Sequence, residues 1–491
     1  MPVSTVGTTL AADRLGASSV ASFALNAAAP IMVVGAYVTT AWAVTGAVPV
    51  SLALLGMGAI LAIWAVGYLS MARHVVNAGS LYTFLAHGLG PRTATTGAAV
   101  QLLAYSMLQW GLYGIVGVQA SALAADHLDV HLPWWAWALL AWTVVAWLGT
   151  RGVVLGSRLL TGAIIVETLL VGLIIVVDLA HPAPGGVSFA ALDPTRITSG
   201  SLGALIAISV TAFVGIEAAP VYSEEARQPK KTIMVATYLA LILMVVVYVA
   251  GSWAMSVAVG PDQVIATAAE LGPDMLLVPA STHLGGTALV DIGHILLLTS
   301  ISAGLMAYHN AVARTTFSLA RDRVLPRALA RTSPRSGAPV AASLAQSATG
   351  LAVILVYAMT GWDPTTRLFF WLGTTGALGV LVLMTGASLA VVGYFARDRR
   401  GESPWATRIA PSLAGLALTA CVVLVVDNYA GLLGVAPTSP ARWALPASYL
   451  VVAGLAWAWS LSGARRRPHA LRRIGRGANA AEPAPLLGGL R

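Results

Sequence analysis

About twelve stretches of some twenty predominantly apolar residues recur along the chain, and this repetition limits the fold more than any other feature. Each stretch is long enough to cross about 30 Å of hydrocarbon as a helix. In lipid every backbone amide must find a partner within the protein, and a helix supplies one inside a single segment. The expected spans are residues 20–45, 50–71, 96–122, 135–149, 159–177, 202–222, 233–259, 288–311, 340–360, 368–392, 409–426 and 445–461. Only 10% of the 491 residues are charged, against roughly 25% in a soluble domain. The expected fold class is therefore an all-α polytopic membrane protein.

Charge orients the spans. With a cytoplasmic N-terminus, all but three of the 28 Lys and Arg fall in cytoplasmic segments, the exceptions being Arg196, Arg367 and Arg442. That asymmetry follows the positive-inside rule. It predicts a multi-pass protein of the cell inner membrane with both termini in the cytoplasm. The net charge of +9 is spread over every inner loop instead of one face, so it implies membrane lipid and no nucleic-acid partner. The N-terminus lacks a basic start and its first apolar run is a full-length span, so no cleaved signal peptide is expected. The lone Cys421 lies in the eleventh span and reads as a small packing residue. Abundant Gly suits close helix packing.

The chain divides into a tail at 1–19, a core at 20–396, two further spans within 397–462 and a basic tail at 463–491. The last is rich in Ala, Gly and Pro after its Arg465-Arg466-Arg467 run. It reads as disordered, with the arginines near anionic lipid.

Two spans carry unusual local chemistry. The first contains Asn26-Ala27-Ala28-Ala29-Pro30 and then Gly35; the sixth contains Phe213-Val214-Gly215-Ile216-Glu217-Ala218-Ala219-Pro220. Proline removes a helix hydrogen bond and disfavours helix in the residue before it, so both are expected to be interrupted. They lie five spans apart, and an odd offset reverses orientation. Paired interruptions in two inverted halves point to a transport site near the midplane, whereas either one alone reads as an ordinary proline kink.

Among the 19 Asp and Glu, only Glu167 and Glu217 fall well inside spans. A carboxylate in hydrocarbon is costly unless paired or protonated, so both are candidate functional groups. Glu217 follows the sixth-span break, a place that suits a group taking up and releasing a proton. Glu167 sits near the centre of the fifth span, with Ser300 and Ser302 of the eighth as possible partners. Tyr105, Gln109 and Tyr113 recur at helical spacing on the third span and form a polar-aromatic stripe, which suits either a pocket wall or a helix contact. His309 and His294 read as packed polar residues or relay members.

Three further stretches carry a resemblance. They are Asn77-Ala78-Gly79-Ser80-Leu81-Tyr82-Thr83-Phe84 with Gly88-Leu89-Gly90-Pro91; Phe213-x-Gly215-x-Glu217 with Glu224-Glu225-x-x-x-Pro229-Lys230-Lys231-Thr232-Ile233; and Asn310-x-x-x-Arg314 with Leu319-Ala320-Arg321-Asp322-Arg323-x-Leu325-Pro326 and Ala338-Pro339. In order, and on the inner loops of a twelve-span chain, they resemble the amino acid–polyamine–organocation permeases over roughly residues 20–396. The resemblance implies two five-helix inverted repeats, spans one to five and six to ten, with two spans outside them. It implies a substrate site between the first, third, sixth and eighth spans and alternating access. Sodium-coupled relatives of that fold hold a cation between the first, fifth and eighth spans, near the position of Glu167. The family commonly has a glycine-rich first-span break that binds a substrate carboxylate. Here Ala28-Ala29-Pro30 fills it, which keeps an amine open beside an amino acid.

The candidate substrate contacts are Asn26, Ala28, Ala29, Tyr105, Gln109, Phe213 and Gly215, and the candidate ion or proton groups are Glu167, Glu217 and Ser302. The expected activity is secondary active transport of a small amino acid or amine, coupled to protons. Amino acid–amine exchange and a non-transporting receptor are the alternatives. The chain has no Walker-type Gly-x-x-x-x-Gly-Lys-Ser/Thr and no evident nucleophile–base pair or metal-ligand cluster. Neither enzymatic chemistry nor a cofactor is expected beyond a coupling proton or sodium ion. The oligomeric state stays open.

Overall fold

The computed structural model describes residues 20, 29–75, 77, 79, 81–151, 154–197, 199–222, 228–333, 336–466 and 474–475. Among them there is no strand, and nine helices are long and apolar enough to cross a bilayer. Pro30–Thr45, Pro91–Leu128 and Trp134–Arg151 are helical too, so each expected span is represented. The protein is a polytopic membrane protein.

The ninth span has the expected ends, Val340–Thr360. The third and eighth run further, to Pro91–Leu128 and Thr287–Arg321. At about 1.5 Å per residue both outrun the roughly 30 Å hydrocarbon layer by several turns. Local chemistry sets the ends of the third: Pro91 occupies its first turn after Gly90, and Asp129 closes it with a left-handed φ of 54°.

The sixth-span interruption falls within the described residues, whereas only the C-terminal side of the first-span one does. The first span is described from Ala29, whose φ of 44° and ψ of 75° are left-handed; Pro30–Met32, a π-helical turn Val33–Tyr37 and Val38–Thr45 follow. Asn26 and Ala28 lie outside the described residues. An L-residue with a side chain is strained in this backbone region. Ala29→Gly should therefore raise stability by about 0.5–1 kcal/mol, read as a higher melting temperature in detergent. A lower melting temperature would mean that Ala29 carries no such strain. The sixth span is helical over Ser199–Phe213, turns at Val214 and Gly215, and continues as a 3-10 helix, Ile216–Tyr222, with Pro220 inside. Gly215 has a φ of 117°, which glycine alone adopts readily.

Helices in the connections escaped the hydropathy pattern. Leu81–Leu89, between the second and third spans, packs between the third and tenth. There Gly88 meets the tenth span backbone to backbone: a Cβ on it would stand 2.1 Å from the Ala390 carbonyl oxygen. Arg73 and His74 reach Glu402 at 3.2 and 3.1 Å, tying this connection to the one after the tenth span. These loops mark the arginine-rich end of the bundle. At the opposite end Val264–Leu271 lies against the first span, and a Cβ on Gly35 would touch Leu276 Cδ2 at 3.4 Å. The twelfth span, Ala441–Arg466, packs mainly on the third, and its Tyr449 donates to the Thr375 carbonyl of the tenth at 2.7 Å, while much of its apolar surface stays exposed. Cys421 is buried among the core residues of the eleventh span.

Candidate functional site

The turn at Val214 and Gly215 frees backbone groups that a continuous helix would pair. Glu217 meets one of them: the Gly215 N–H donates to its Oε2 at 2.9 Å. The Tyr105 hydroxyl of the third span donates to Oε1 at 2.8 Å. Tyr68 of the second span donates to the Glu217 backbone carbonyl at 2.7 Å. Glu217 is fully buried. The second, third and sixth spans thus meet at this one residue, its carboxyl bonded by Tyr105 and Gly215 and its backbone carbonyl by Tyr68, and burial of so polar a group is tolerable because its oxygens are bonded. Aromatic rings enclose it. Tyr308 lies nearly parallel to Tyr105 with centroids 6.2 Å apart, and Trp64 stacks on Tyr68 at 4.1 Å.

Phe213, on the first side of the turn, is buried edge-on to Tyr248 of the seventh span at 5.4 Å. The gap it shares with Met57, Leu61, Val210, Val214, Leu381 and Met384 is about 10 Å³, at the lower limit for one water.

The third-span stripe divides. Tyr105 turns to Glu217, but Gln109 turns to the eighth and ninth spans. Its Nε2 contacts Tyr113 Oη at 3.2 Å and His309 Nδ1 at 3.1 Å, and its Oε1 accepts from Gln346 Nε2 at 2.7 Å. His309 Nε2 continues to Ser343 Oγ at 2.8 Å, and Ser106 donates to Gln346 at 3.2 Å. This network ties the three spans together, and none of its bonds reaches Glu217.

Glu167 is also buried, and Ser300 donates to its Oε2 at 2.7 Å. Its Oε1 has no hydrogen-bond partner among the described residues. Ser302 donates to the Leu298 carbonyl at 2.8 Å, so Ser300 is the hydroxyl bonded to Glu167. His294 meets Asp274 of the seventh–eighth connection at 2.7 Å, at the end where that connection covers the first span. No group of three or more His, Cys, Asp or Glu among the described residues is placed to hold a metal ion.

The structure therefore brings Tyr105, Gly215 and Glu217 together, leaves Gln109 and Ser302 in other surroundings, and adds Tyr68 and Tyr308. A lone tyrosine in the predominantly apolar 50–71 stretch was the available signal for Tyr68; nothing in the sequence paired it with the sixth span.

The family model for amino acid permeases matches residues 15–455. An uncharacterized transporter of Mycobacterium tuberculosis is 33% identical over 160 residues, which is 31% of this chain and 35% of that protein. An uncharacterized transporter of Rhizobium meliloti is 26% identical over 259 residues, 51% of this chain and 53% of that one. The chain thus matches between about a third and a half of the length of these curated relatives. With the model spanning most of the sequence, the chain belongs to the amino acid permease family.

Proposed function

We propose that the protein is a secondary active transporter that takes up a small amino acid or amine by alternating access, coupled to protons. The observation that carries this reading is Glu217, an acidic side chain buried at a backbone interruption and bonded across to the third span. Interrupted helices in a membrane are tolerated where the freed backbone lines a site, and ionisable groups there mark ion or substrate paths. Glu217 would carry the coupling proton. Tyr105 and Tyr308, together with the backbone near Ala29 and Gly215, would wall the substrate. Glu167, one of whose oxygens has no partner among the described residues, would be a second proton or cation site. The arginine-rich end would face the cytoplasm with both chain termini, in the cell inner membrane.

Uptake by proteoliposomes, with a panel of labelled amino acids and polyamines under an imposed pH or sodium gradient, tests this. Accumulation driven by an inward proton gradient and abolished by a protonophore is expected. Uptake driven by sodium and indifferent to pH would remove the proton. Binding without flux would replace the carrier with a receptor.

A further inference from the structure

Ile474 and Gly475 belong to a tail expected to be disordered, yet both are buried in the protein. Gly475 is held at both backbone groups. Its N–H donates to Asp322 Oδ2 at 2.8 Å, and its carbonyl accepts from Asn77 Nδ2 at 3.0 Å. Asn77 is itself fixed, because its Oδ1 accepts the Gly79 N–H at 2.8 Å. The seat selects glycine twice. Gly475 has a φ of 77°, and a Cβ there would stand 2.8 Å from Ala86 Cβ and 3.4 Å from Thr83 Cγ2. Ile474, 5% exposed, packs into the main apolar core.

The two bonded partners lie on different parts of the bundle. Asn77 follows the second span, and Asp322 caps the eighth. A segment bonded to both can stay bonded only while the two keep their present spacing. A transport cycle moves helices past one another, so a docked segment resists it.

We propose that Asn77, Thr83, Ala86 and Asp322 form a docking site for the chain's own Ile474 and Gly475, and that the docked tail acts as a brake on the cycle. The brake rests on the transport reading; the docking does not. The flanking Arg472, Arg473 and Arg476 offer a different partner, anionic lipid headgroups, and the test separates the two.

The full-length protein carrying Cys421→Ala and Ile474→Cys is reconstituted in phosphatidylcholine nanodiscs, and its labelling rate by a bulky maleimide is measured. The cysteine should be protected. Adding Gly475→Leu, or Asn77→Asp, which keeps an acceptor for Gly79 but loses the donor to Gly475, should speed labelling by about fivefold or more. Equal rates in all three proteins would overturn the docking. Protection that appears only with phosphatidylglycerol and survives both substitutions would also overturn it, in favour of the membrane. In proteoliposomes Gly475→Leu should raise the initial uptake rate by about threefold; unchanged or slower uptake with a released tail would overturn the brake. Because labelling requires no substrate, failure to find one leaves the docking result standing.

Discussion

Glu217→Gln should lower proton-driven uptake at least tenfold while leaving the protein folded. The side chains are nearly isosteric, and the site can accept the amide. A glutamine turned so that its oxygen faces Gly215 keeps that N–H bonded. Its NH2 then faces Tyr105, whose hydroxyl can accept as well as donate. What the variant lacks is a group that exchanges a proton. A tenfold loss corresponds to about 1.4 kcal/mol of barrier, within what one buried charged group supplies. Uptake that keeps its rate and pH dependence would remove Glu217 from the coupling. Tyr105→Phe separates position from protonation. It removes a donor but no titrating group near neutral pH, so substrate affinity should suffer more than pH dependence. In a double-mutant cycle the two changes should be non-additive, because the side chains are in contact.

Gly88→Val should be the most damaging single change to the fold. The atoms a Cβ would strike are the Ala390 carbonyl oxygen at 2.1 Å, its Cα at 2.5 Å and its carbonyl carbon at 2.6 Å. Backbone cannot rotate out of the way as a side chain can, so the helix Leu81–Leu89 would have to leave the tenth span. From the other side Gly393 approaches Gly88, where a Cβ would meet its carbonyl oxygen at 2.8 Å. Overpacking in a core costs about 1–3 kcal/mol, and a contact with no flexible partner belongs at or above the top of that range. The expected result is a large loss of monodisperse protein and a lower melting temperature. Leu89→Ala, at a half-exposed neighbour, serves as the reference. A variant that melts with the wild type would refute the backbone contact.

The spans were legible because hydropathy reports on lipid. Their ends were less so. The third and eighth helices continue past the apolar stretch, since hydrogen bonding along a helix does not stop where hydrocarbon does. The sixth-span interruption was legible from Pro220, whereas the left-handed backbone before Pro30 falls on Ala29, a residue type with no preference for that region. Glu217 stood out by charge, whereas its partners did not. Residues four apart on a helix differ by about 40° in direction. In a span with neighbours on every side, that offset sends Tyr105 to the sixth span and Gln109 to the eighth and ninth. Only the assembled bundle decides such divisions. The short helix at Leu81–Leu89 was hidden because it crosses nothing, and the buried glycine of the tail because its composition resembles a linker.

The loosely attached twelfth span has a consequence for how the protein should be handled. With much of its surface outside protein contact, its position should respond to the hydrocarbon around it. Leu450, Val451, Leu455 and Trp457 are exposed on it, and in a bilayer acyl chains would pack against them. Bilayer thickness is then a structural variable for this helix, much as a neighbouring side chain is for the third span. Short-chain lipids or small micelles should tilt or detach it first, while the Glu217 region, enclosed by protein, keeps its shape.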